Sequence, residues 1–509
     1  MSQAQKDYAA LFALSKKIRL LDSISGLLEW DQETHMPAAG AGLRSEQVEL
    51  MASLIHKEKT SKKFSSLLQK LIDLDTGSIA AKDLNLLQQA ALREWRRDYL
   101  KAVALPNAFV KRFAKLSSES MAVWAKARKE NSFKFFSPYL EKIIEMSKEK
   151  AEYLGYKDHP YDALLDCFEP HMTCKELNPL FEKVRQGITE LLKKIQSAKQ
   201  VDDSPLHGKF SEEKQLEFGK NILIAMGYDL KKGRIDLSTH PFSMSLHPSD
   251  SRVTTRIHTT SLFDCISTLL HEGGHSLYEM GMLPEYYGSP LCEPVSLGIH
   301  ESQSRFWETR IGQSKSFWEY FLPELKKVFK GKLEDISLDQ FYRMINKVEP
   351  TYIRVESDEV TYSLHVILRY EMEKGLIEGS IKVSEIPEAW NQKMKKYLGI
   401  TPRTDTEGCL QDVHWSMGGF GYFPTYSLGN LYAAHFFEAF EEAHPNWEDQ
   451  VSKGNLIFLK EWLNEMIHKH GRTYTASELL KRIQGTKLSQ TPYLDYLNNK
   501  YRQIYRFKD

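Results

Sequence analysis

The sequence lacks the features that would assign it to several special classes of protein. Its 509 residues include only five cysteines, and the absence of a CxxC pair excludes a disulfide-rich framework and a CxxC-type zinc or redox site. No run of eighteen apolar residues occurs, so we expect no membrane span. Lysine plus arginine and aspartate plus glutamate each total 68, without a basic stripe. Nucleic acid and membrane surfaces are therefore not expected partners.

Low-complexity linkers are also missing, so we expect one integrated domain over residues 1–509. It would comprise a helical amino-terminal portion at about 1–200 and a catalytic portion at about 227–435. Apolar residues recur at helical spacing along most of the chain, which predicts a mainly α fold. Lys16 and Lys17 interrupt the first apolar stripe, so this segment does not resemble a signal peptide. The small number of cysteines and the absence of a signal-peptide pattern together predict a cytoplasmic protein.

One segment, between about 227 and 260, departs from the helical pattern. Residues 234–237 and 252–257 alternate polar and apolar side chains around two prolines. This alternation predicts a small antiparallel β-sheet. An edge strand at this place could hydrogen-bond an extended peptide backbone.

The most informative stretch is 271–275, which reads His-Glu-Gly-Gly-His, an HExxH pentapeptide. Residues at i and i+4 share one helical face, so His271 and His275 can bind one divalent metal while Glu272 points at the water that the metal activates. This arrangement predicts a metal-dependent hydrolase. The structural alternative is two core histidines that merely share a face.

The surrounding sequence predicts a helix of about five turns that carries the pentapeptide. Ser261 is the expected N-cap, with an acid three residues later, and Gly281 is the expected stop. Gly273 and Gly274 each weaken a helix by roughly 1 kcal/mol relative to alanine. Close approach of a metal, a substrate or another backbone would explain both glycines.

A catalytic zinc usually has three protein ligands, so a third ligand must lie elsewhere in the chain. We predict Glu301, 26 residues after His275 on the next helix, which we place at 295–307. His300 competes for this role, and Glu293 is a weaker rival. The structural alternative for Glu301 is a surface ion pair at i+4.

The HExxH pentapeptide and several other motifs of this chain resemble those of the carboxypeptidase Taq family of metal-dependent carboxypeptidases. The resemblance extends over most of the chain. Ser357 departs from the family pattern, which has alanine there. The resemblance rests on 30–37, on 250–254 as DxRxT, on 271–275 as HExxH, on 300–303 as HESQ, on 353–358 as IRxxAD and on 408–415 as GxxQDxHW.

The resemblance implies a mainly α, multi-helix, saddle-like zincin-type body with a deep groove and the small sheet next to the HExxH helix. It also implies a homodimer that contains one zinc per chain, with cobalt able to substitute. The implied activity is removal of single C-terminal residues from peptides with a free C-terminus. The implied specificity is broad, with proline excepted.

Each candidate site residue then has a chemical role. Zinc bound by His271, His275 and Glu301 would activate a water, and Glu272 would take its proton and deliver it to the leaving amine. A structural zinc is the alternative, but it would need a fourth protein ligand.

An exopeptidase must also recognise the substrate's terminal carboxylate, and the planar guanidinium of arginine can bind it through two hydrogen bonds. Arg252 and Arg354 are the candidates. The alternative for either is an internal ion pair, for example between Arg354 and Asp358.

His414 and Tyr422 are candidate donors to the developing oxyanion. They flank the glycine-rich stretch 418–421, which would let a loop close over the groove, although a packed loop is the alternative. Asp412 or Asp358 could hold a zinc-bound imidazole through its second nitrogen.

The sequence thus predicts a cytoplasmic zinc metallocarboxypeptidase. One alternative is a zinc oligopeptidase that cuts internal bonds. The other is a helical peptide-binding scaffold that retains zinc without turnover.

Overall fold

The structure, a computed structural model, describes residues 1–79 and 83–507 and is mainly helical, as predicted. The first part of the chain forms α1 (Gln3–Thr34), α2 (Ala41–Lys59), α3 (Lys62–Gln69), α4 (Leu86–Ala104), α5 (Asn107–Glu130), α6 (Phe133–Leu154), α7 (Pro160–Leu165), α8 (Cys174–Ser197) and α9 (Glu212–Ala225). The remainder forms α10 (Phe263–Met280), α11 (Leu297–Arg305), α12 (Lys315–Val328), α13 (Leu338–Ile345), α14 (Tyr362–Glu378), α15 (Ile386–Leu398), α16 (Pro424–Ala443), α17 (Trp447–Val451), α18 (Ile457–Met466), α19 (Ala476–Gln484) and α20 (Thr491–Tyr505). A π-helix, Phe306–Ile311, directly follows α11.

Three strands lie between α9 and α10 and form the small sheet, in the order β1-β3-β2. They are β1 (Ile235–Leu237), β2 (Ser243–His247) and β3 (Asp250–Thr255). β2 is antiparallel to β3, whereas β1 is parallel to β3, so the prediction of an antiparallel sheet is confirmed for one strand pair and wrong for the other. The chain reverses direction before β2 and again before β3, and two reversals give β3 the direction of β1.

The sheet packs between α1 and the HExxH helix α10. On one side, the ring of Trp30 on α1 meets that of Phe242 at 5.3 Å. On the other side, the hydroxyl of Ser251 on β3 hydrogen-bonds to that of Ser276 on α10 at 2.6 Å. The predicted position of the sheet, next to α10, is confirmed.

Helix α10 ends at Met280, immediately before Gly281, as predicted, but it begins later than predicted. Its N-cap is Leu262 and not Ser261. Ser261 instead forms an isolated β-bridge with His207. This bridge keeps the chain extended through Ser261 and delays the first helical turn.

The two glycines of the pentapeptide allow α10 to pack closely against its neighbours. A Cβ on Gly274 would lie 2.6 Å from the backbone oxygen of Gln303 and 2.7 Å from Cα of Ser304, both on α11. A Cβ on Gly273 would lie 2.3 Å from the side chain of Leu223 on α9. Close approach of backbone, one of the predicted reasons for these glycines, is confirmed at Gly274.

Two hydrophobic clusters stabilise the described residues. The larger extends from Ala127 to Tyr505 and includes the buried faces of α10, α11, α14 and α16. The smaller is formed mainly by α1, α3 and α4 and includes Leu291. In the described part of the chain, no helix is both long enough and apolar enough to cross a membrane.

Candidate active site

The candidate metal centre consists of two histidines of α10 and one glutamate of α11. Nε2 of His271 lies 3.6 Å from Oε2 of Glu301, and Nε2 of His275 lies 3.3 Å from the same oxygen. Two ligands at about 2.0 to 2.1 Å from one ion at a tetrahedral angle stand roughly 3.3 Å apart, so these spacings fit one zinc-sized ion. Among the described residues, the group that could hold a metal comprises these three.

The remaining ring nitrogens of the two histidines are bound from outside the cluster. Nδ1 of His271 lies 2.8 Å from Oε2 of Glu308. Nδ1 of His275 lies 2.6 Å from Nδ1 of His300, whose Nε2 lies 3.1 Å from Glu279. Both Nε2 atoms are thereby directed towards Glu301, as a shared metal requires. His300, the predicted competitor for the third ligand, contacts His275 instead of completing the cluster.

The acid that contacts the imidazole of His271 is therefore neither of the two predicted ones. Asp412 is paired with two arginines, and Asp358 accepts hydrogen bonds from the backbone and hydroxyl of Thr361. Glu308 contacts His271 in their place. The prediction failed because this contact depends on the path of the chain after α11.

Glu308 belongs to the π-helix, which begins at Phe306 in place of the last two residues of the predicted helix 295–307 and continues to Ile311. Its carboxylate also binds Arg305 at 2.7 Å and Ser267 at 3.0 Å. Burial raises the pKa of Glu308, but Arg305 and His271 outweigh it and lower the pKa to about 2. Arg305 is thus a buried partner of Glu308, and the predicted alternative of a surface pair with Glu301 is wrong.

Glu301 itself is held on three sides. It is 5% exposed and accepts a hydrogen bond of 3.0 Å from the hydroxyl of Ser304. Gly429 on α16 approaches so closely that a Cβ there would lie 2.3 Å from Cγ of Glu301. Burial raises its pKa, but His271 and His275 lower it below the usual value. The carboxylate is therefore ionised and fixed in place.

Glu272 lies beside this cluster and is 7% exposed. Burial raises the pKa of Glu272 to about 7, and Glu301 acts in the same direction while His271 opposes. Ser243, at the start of β2, also lowers the pKa of Glu272 and so favours its ionised form. A buried carboxyl group with a pKa near neutrality can both accept and release a proton at pH 7.

The two predicted carboxylate-binding arginines lie in different surroundings. Arg252 on β3 forms a bidentate pair with Asp250 at 2.8 Å and lies over the ring of Trp30. Arg354, 5% exposed, lies in a polar cluster with Asp412 and Tyr362, both at 3.1 Å. The internal ion pair predicted as the alternative exists for both, but the acid for Arg354 is Asp412 and not Asp358.

The loop 408–415 fixes Arg354 in two ways. Gln411 accepts a hydrogen bond of 2.8 Å from the backbone N–H of Arg354, and Asp412 accepts from its guanidinium. The amide of Gln411 also donates to the carbonyl of Tyr352 at 3.0 Å. Ser357, the departure from the family motif, donates to the carbonyl of Arg354 and leaves the guanidinium untouched. The contacts of Gln411 and Asp412 therefore orient the guanidinium of Arg354.

His414 and Tyr422 lie together, with ring centroids 5.3 Å apart. Burial raises the pKa of Tyr422, and the charges of Glu301 and Glu272 raise it further, so this tyrosine lies within electrostatic reach of the metal centre. Burial lowers the pKa of His414 to about 4, and the charges that act on it belong to the arginine cluster. Tyr422 is therefore the closer candidate for the oxyanion.

The glycine-rich stretch 418–421 is packed. The N–H of Gly421 donates to Glu373 at 3.0 Å, and Trp415 donates to the other oxygen of the same carboxylate at 2.9 Å. A Cβ on Gly418 would lie 2.3 Å from the ring of Phe113. The sequence left two alternatives for this stretch, a loop that closes over the groove and a packed loop. The structure favours the packed loop.

The comparison with protein families agrees with this geometry. The model of the carboxypeptidase Taq (M32) metallopeptidases matches residues 10–501. The chain belongs to this family. It is therefore a metallocarboxypeptidase, and membership implies a metal ion and peptide substrates.

Relatives in the M32 family cover nearly the full chain. Thermostable carboxypeptidase 1 of Thermus thermophilus is 40% identical over 508 residues, which cover 98% of this chain and 99% of that protein. Carboxypeptidase 1 of Bacillus subtilis is 38% identical over 495 residues, which cover 97% and 98%. The solved M32 carboxypeptidase of Deinococcus radiodurans R1 superposes with a TM-score of 0.95 at 34% identity, covering 98% of this chain and 100% of that one. The M32 fold is thus present from end to end.

Several residues of this M32 site were not predicted from the sequence. Glu308, Arg369 and Tyr426 all lie outside the family motifs. Tyr426 contacts His414 through its hydroxyl at 3.3 Å and stacks 4.8 Å from the guanidinium of Arg354. In the sequence, each of the three is only a polar or aromatic residue within a helical segment. One sequence alone does not distinguish such a site residue from a residue that merely packs in the core.

Proposed function

We propose that this enzyme is a zinc-dependent carboxypeptidase that releases single C-terminal residues from peptides, with Glu272 as general base and acid. The observation that carries the proposal is the convergence of Nε2 of His271, Nε2 of His275 and Oε2 of Glu301 beside the buried Glu272. Two histidines and one glutamate form a common ligand set of catalytic zinc, which keeps a further position open. We expect one zinc per chain, with cobalt able to substitute.

When bound, zinc supplies Lewis-acid activation of a water and of the scissile carbonyl group. Glu272 takes a proton from the attacking water and then delivers it to the leaving amine. Tyr422 donates a hydrogen bond to the carbonyl oxygen as negative charge develops, and His414 supports Tyr422 from behind. Glu308 and His300 hold the two imidazoles in the orientation that ligation requires.

The terminal carboxylate of the substrate binds at Arg354. Two tyrosines lie beside this arginine: the hydroxyl of Tyr362 accepts a hydrogen bond from Arg354 at 3.1 Å, and the ring of Tyr426 lies 4.8 Å from its guanidinium. A carboxylate is common to all free C-termini, so recognition there tolerates many side chains and supports broad specificity. Arg252 would bind the substrate farther along the sheet.

The homodimer, the cytoplasm and the single integrated domain belong to the same proposal. The five cysteines are free thiols, which suits a reducing compartment. Light scattering coupled to size exclusion would test the dimer: a mass near twice 58.9 kDa supports it, and a mass near 58.9 kDa contradicts it.

Hydrolysis of a free-ended peptide and of its C-terminally amidated twin separates the candidate activities. A carboxypeptidase should remove residues one at a time from the first peptide only. Internal cleavage of both would favour an oligopeptidase, and binding without cleavage would favour a scaffold.

Glu272→Gln is the matched test of the mechanism. The amide keeps the size of the side chain but cannot accept the proton, so we expect hydrolysis to fall at least about 1,000-fold while zinc content stays near one per chain. Hydrolysis at the parent rate would remove Glu272 from the mechanism, and loss of zinc would assign it a structural role.

A further inference from the structure

Arg354, the arginine proposed to bind the substrate's terminal carboxylate, has a second arginine behind it. Arg369 on α14 is fully buried, and its Nε and Nη2 both lie 2.6 Å from Oδ2 of Asp412. The other oxygen of that carboxylate, Oδ1, accepts from Nε and Nη2 of Arg354 at 3.1 Å. Two guanidinium groups therefore share one carboxylate, one on each oxygen.

The charges of this cluster do not balance. The two arginines hold the pKa of Asp412 well below its usual range, so it carries one negative charge against two positive ones. Burial lowers the pKa of Arg369 to about 10, with Asp412 opposing and Arg354 adding to the decrease, and a pKa of 10 still leaves the group charged at pH 7. The cluster thus lacks one negative charge in a buried site, where an unbalanced charge is costly.

The neighbouring groups do not supply the missing charge. The nearby acid on α14, Glu373, directs both carboxylate oxygens to Tyr161, Trp415 and Gly421, and among the described residues it forms no ion pair with either arginine. His414 is neutral at pH 7, since burial lowers its pKa to about 4. The aromatic ring of Phe423 lies 5.4 and 5.5 Å from the two guanidinium carbons and carries no charge.

We propose that Arg369 is a positioning residue that keeps Arg354 electropositive by sharing Asp412 with it, so that the terminal carboxylate of the substrate completes the charge balance. This inference rests on the proposed function, since it names the group that tunes the same site. Without Arg369, Asp412 would neutralise Arg354 and repel the incoming carboxylate. Arg369 does not reach the substrate, because it is fully buried behind Asp412.

The test compares Arg369→Met, Arg369→Lys and the double variant Arg369→Met with Asp412→Asn. Arg369→Met should raise KM for a free-ended peptide at least tenfold and leave kcat within about threefold, because only binding of the carboxylate is affected. Arg369→Lys keeps the charge and should stay near the parent. The double variant removes one charge of each sign and should recover most of the lost affinity, since the amide oxygen introduced at position 412 would still accept from Arg354.

A binding measurement without turnover accompanies the kinetics. Titration calorimetry of N-acetyl-phenylalanine and its amide should show that Arg369→Met weakens only the acid. Equal binding of the acid to parent and Arg369→Met would overturn the inference, as would a KM increase of the same size in Arg369→Lys, which would show that shape matters and charge does not. A double variant weaker than Arg369→Met would also overturn it.

The inference can still be tested if Arg369→Met does not fold. In that case the double variant, in which Asp412→Asn also removes the buried carboxylate, is the decisive one. It should bind the free-ended peptide within about threefold of the parent, and a tenfold loss would contradict the inference. If the parent itself does not distinguish acid from amide, the proposed function fails. If the parent distinguishes them and the variants behave alike, only the role of Arg369 fails.

Discussion

At the residue scale, each candidate histidine ligand on α10 is oriented by a side chain from another helix, His271 by Glu308 and His275 by His300. His271, Glu272 and His275 are neighbours in the sequence, so the helical repeat alone places them on one turn. The contact of His271 with Glu308 joins two elements across 37 residues. Nothing in a single sequence fixes the distance between two such elements, so the sequence left Asp412 and Asp358 as the candidate acids.

Glu308→Gln should weaken zinc binding by about 10- to 100-fold, because the amide is a poorer partner for the outer N–H of His271 than a carboxylate. Competition with a chromophoric chelator would measure the dissociation constant. Glu319→Gln, an exposed change on α12, is the matched control. Equal affinity in Glu308→Gln and Glu319→Gln would show that Glu308 does not orient the ligand.

Glu169 gives a prediction on pH. It is fully buried, hydrogen-bonds to the N–H of Gly298 and the hydroxyl of Tyr432, and burial raises its pKa to about 7. The folded state thus binds more protons than the unfolded one between about pH 4.5 and 7, and stability must fall as pH rises through that window. The shift corresponds to about 3 kcal/mol.

Glu169→Gln removes this titration and keeps an acceptor oxygen. The parent should therefore lose more stability than the variant between about pH 4.5 and 8, and the two should converge towards low pH. Urea unfolding at a series of pH values measures the difference. Parallel curves would contradict the prediction.

At the element scale, the sequence predicted the helices well and the connections poorly. The end of α10 at Gly281 follows from local chemistry, as does its apolar stripe. Its first residue does not, because the bridge between Ser261 and His207 is a tertiary contact. β2 was missed for a similar reason: it is stabilised by α1, α10 and β3 on different sides, and its own sequence alternates only weakly.

Gly274→Ala tests the close packing of α10 on α11. The added methyl group would meet backbone atoms, which move only if α11 moves, so we expect a loss of about 1 to 3 kcal/mol in stability and weaker zinc binding. Gly273→Ala is the control, because its methyl group meets the flexible end of Leu223 and gains helix propensity. Thermal unfolding of both should rank Gly274→Ala well below Gly273→Ala. The reverse order would contradict this account of the interface.

At the scale of the whole molecule, the two hydrophobic clusters are joined by a buried ionic contact. Arg472, in the segment after α18, binds Glu94 and Asp98 on α4 at 2.7 Å and Glu293 at 3.0 Å. The three acids lie 378, 374 and 179 residues before Arg472 in the sequence. The absence of low-complexity linkers predicted one body over residues 1–509, but the residues that connect its distant parts were not predictable from local pattern.

Arg472→Met should release α4 and the helices that pack on it. The loss of this arginine leaves the buried Glu94 with Arg93 as its remaining cationic partner and removes the contacts to the partly exposed Asp98 and Glu293, so we expect a cost of about 1.5 to 3 kcal/mol. Limited proteolysis should then cut first within residues 1–105. Arg112→Ala, which removes an exposed pair with Glu149, should leave the cleavage pattern unchanged. Identical patterns for the two variants would show that Arg472 does not connect the clusters.

The π-helix at Phe306–Ile311 makes the length of the chain at this point critical. A π turn contains one residue more than an α turn, so deleting a single residue here would restore regular helical winding. Every side chain beyond the deletion would then rotate by about 100° relative to α10. A deletion that preserved all metal ligands would thus still separate the carboxylate at 308 from His271, and enzymes engineered from this scaffold should tolerate substitutions in this turn far better than changes in its length.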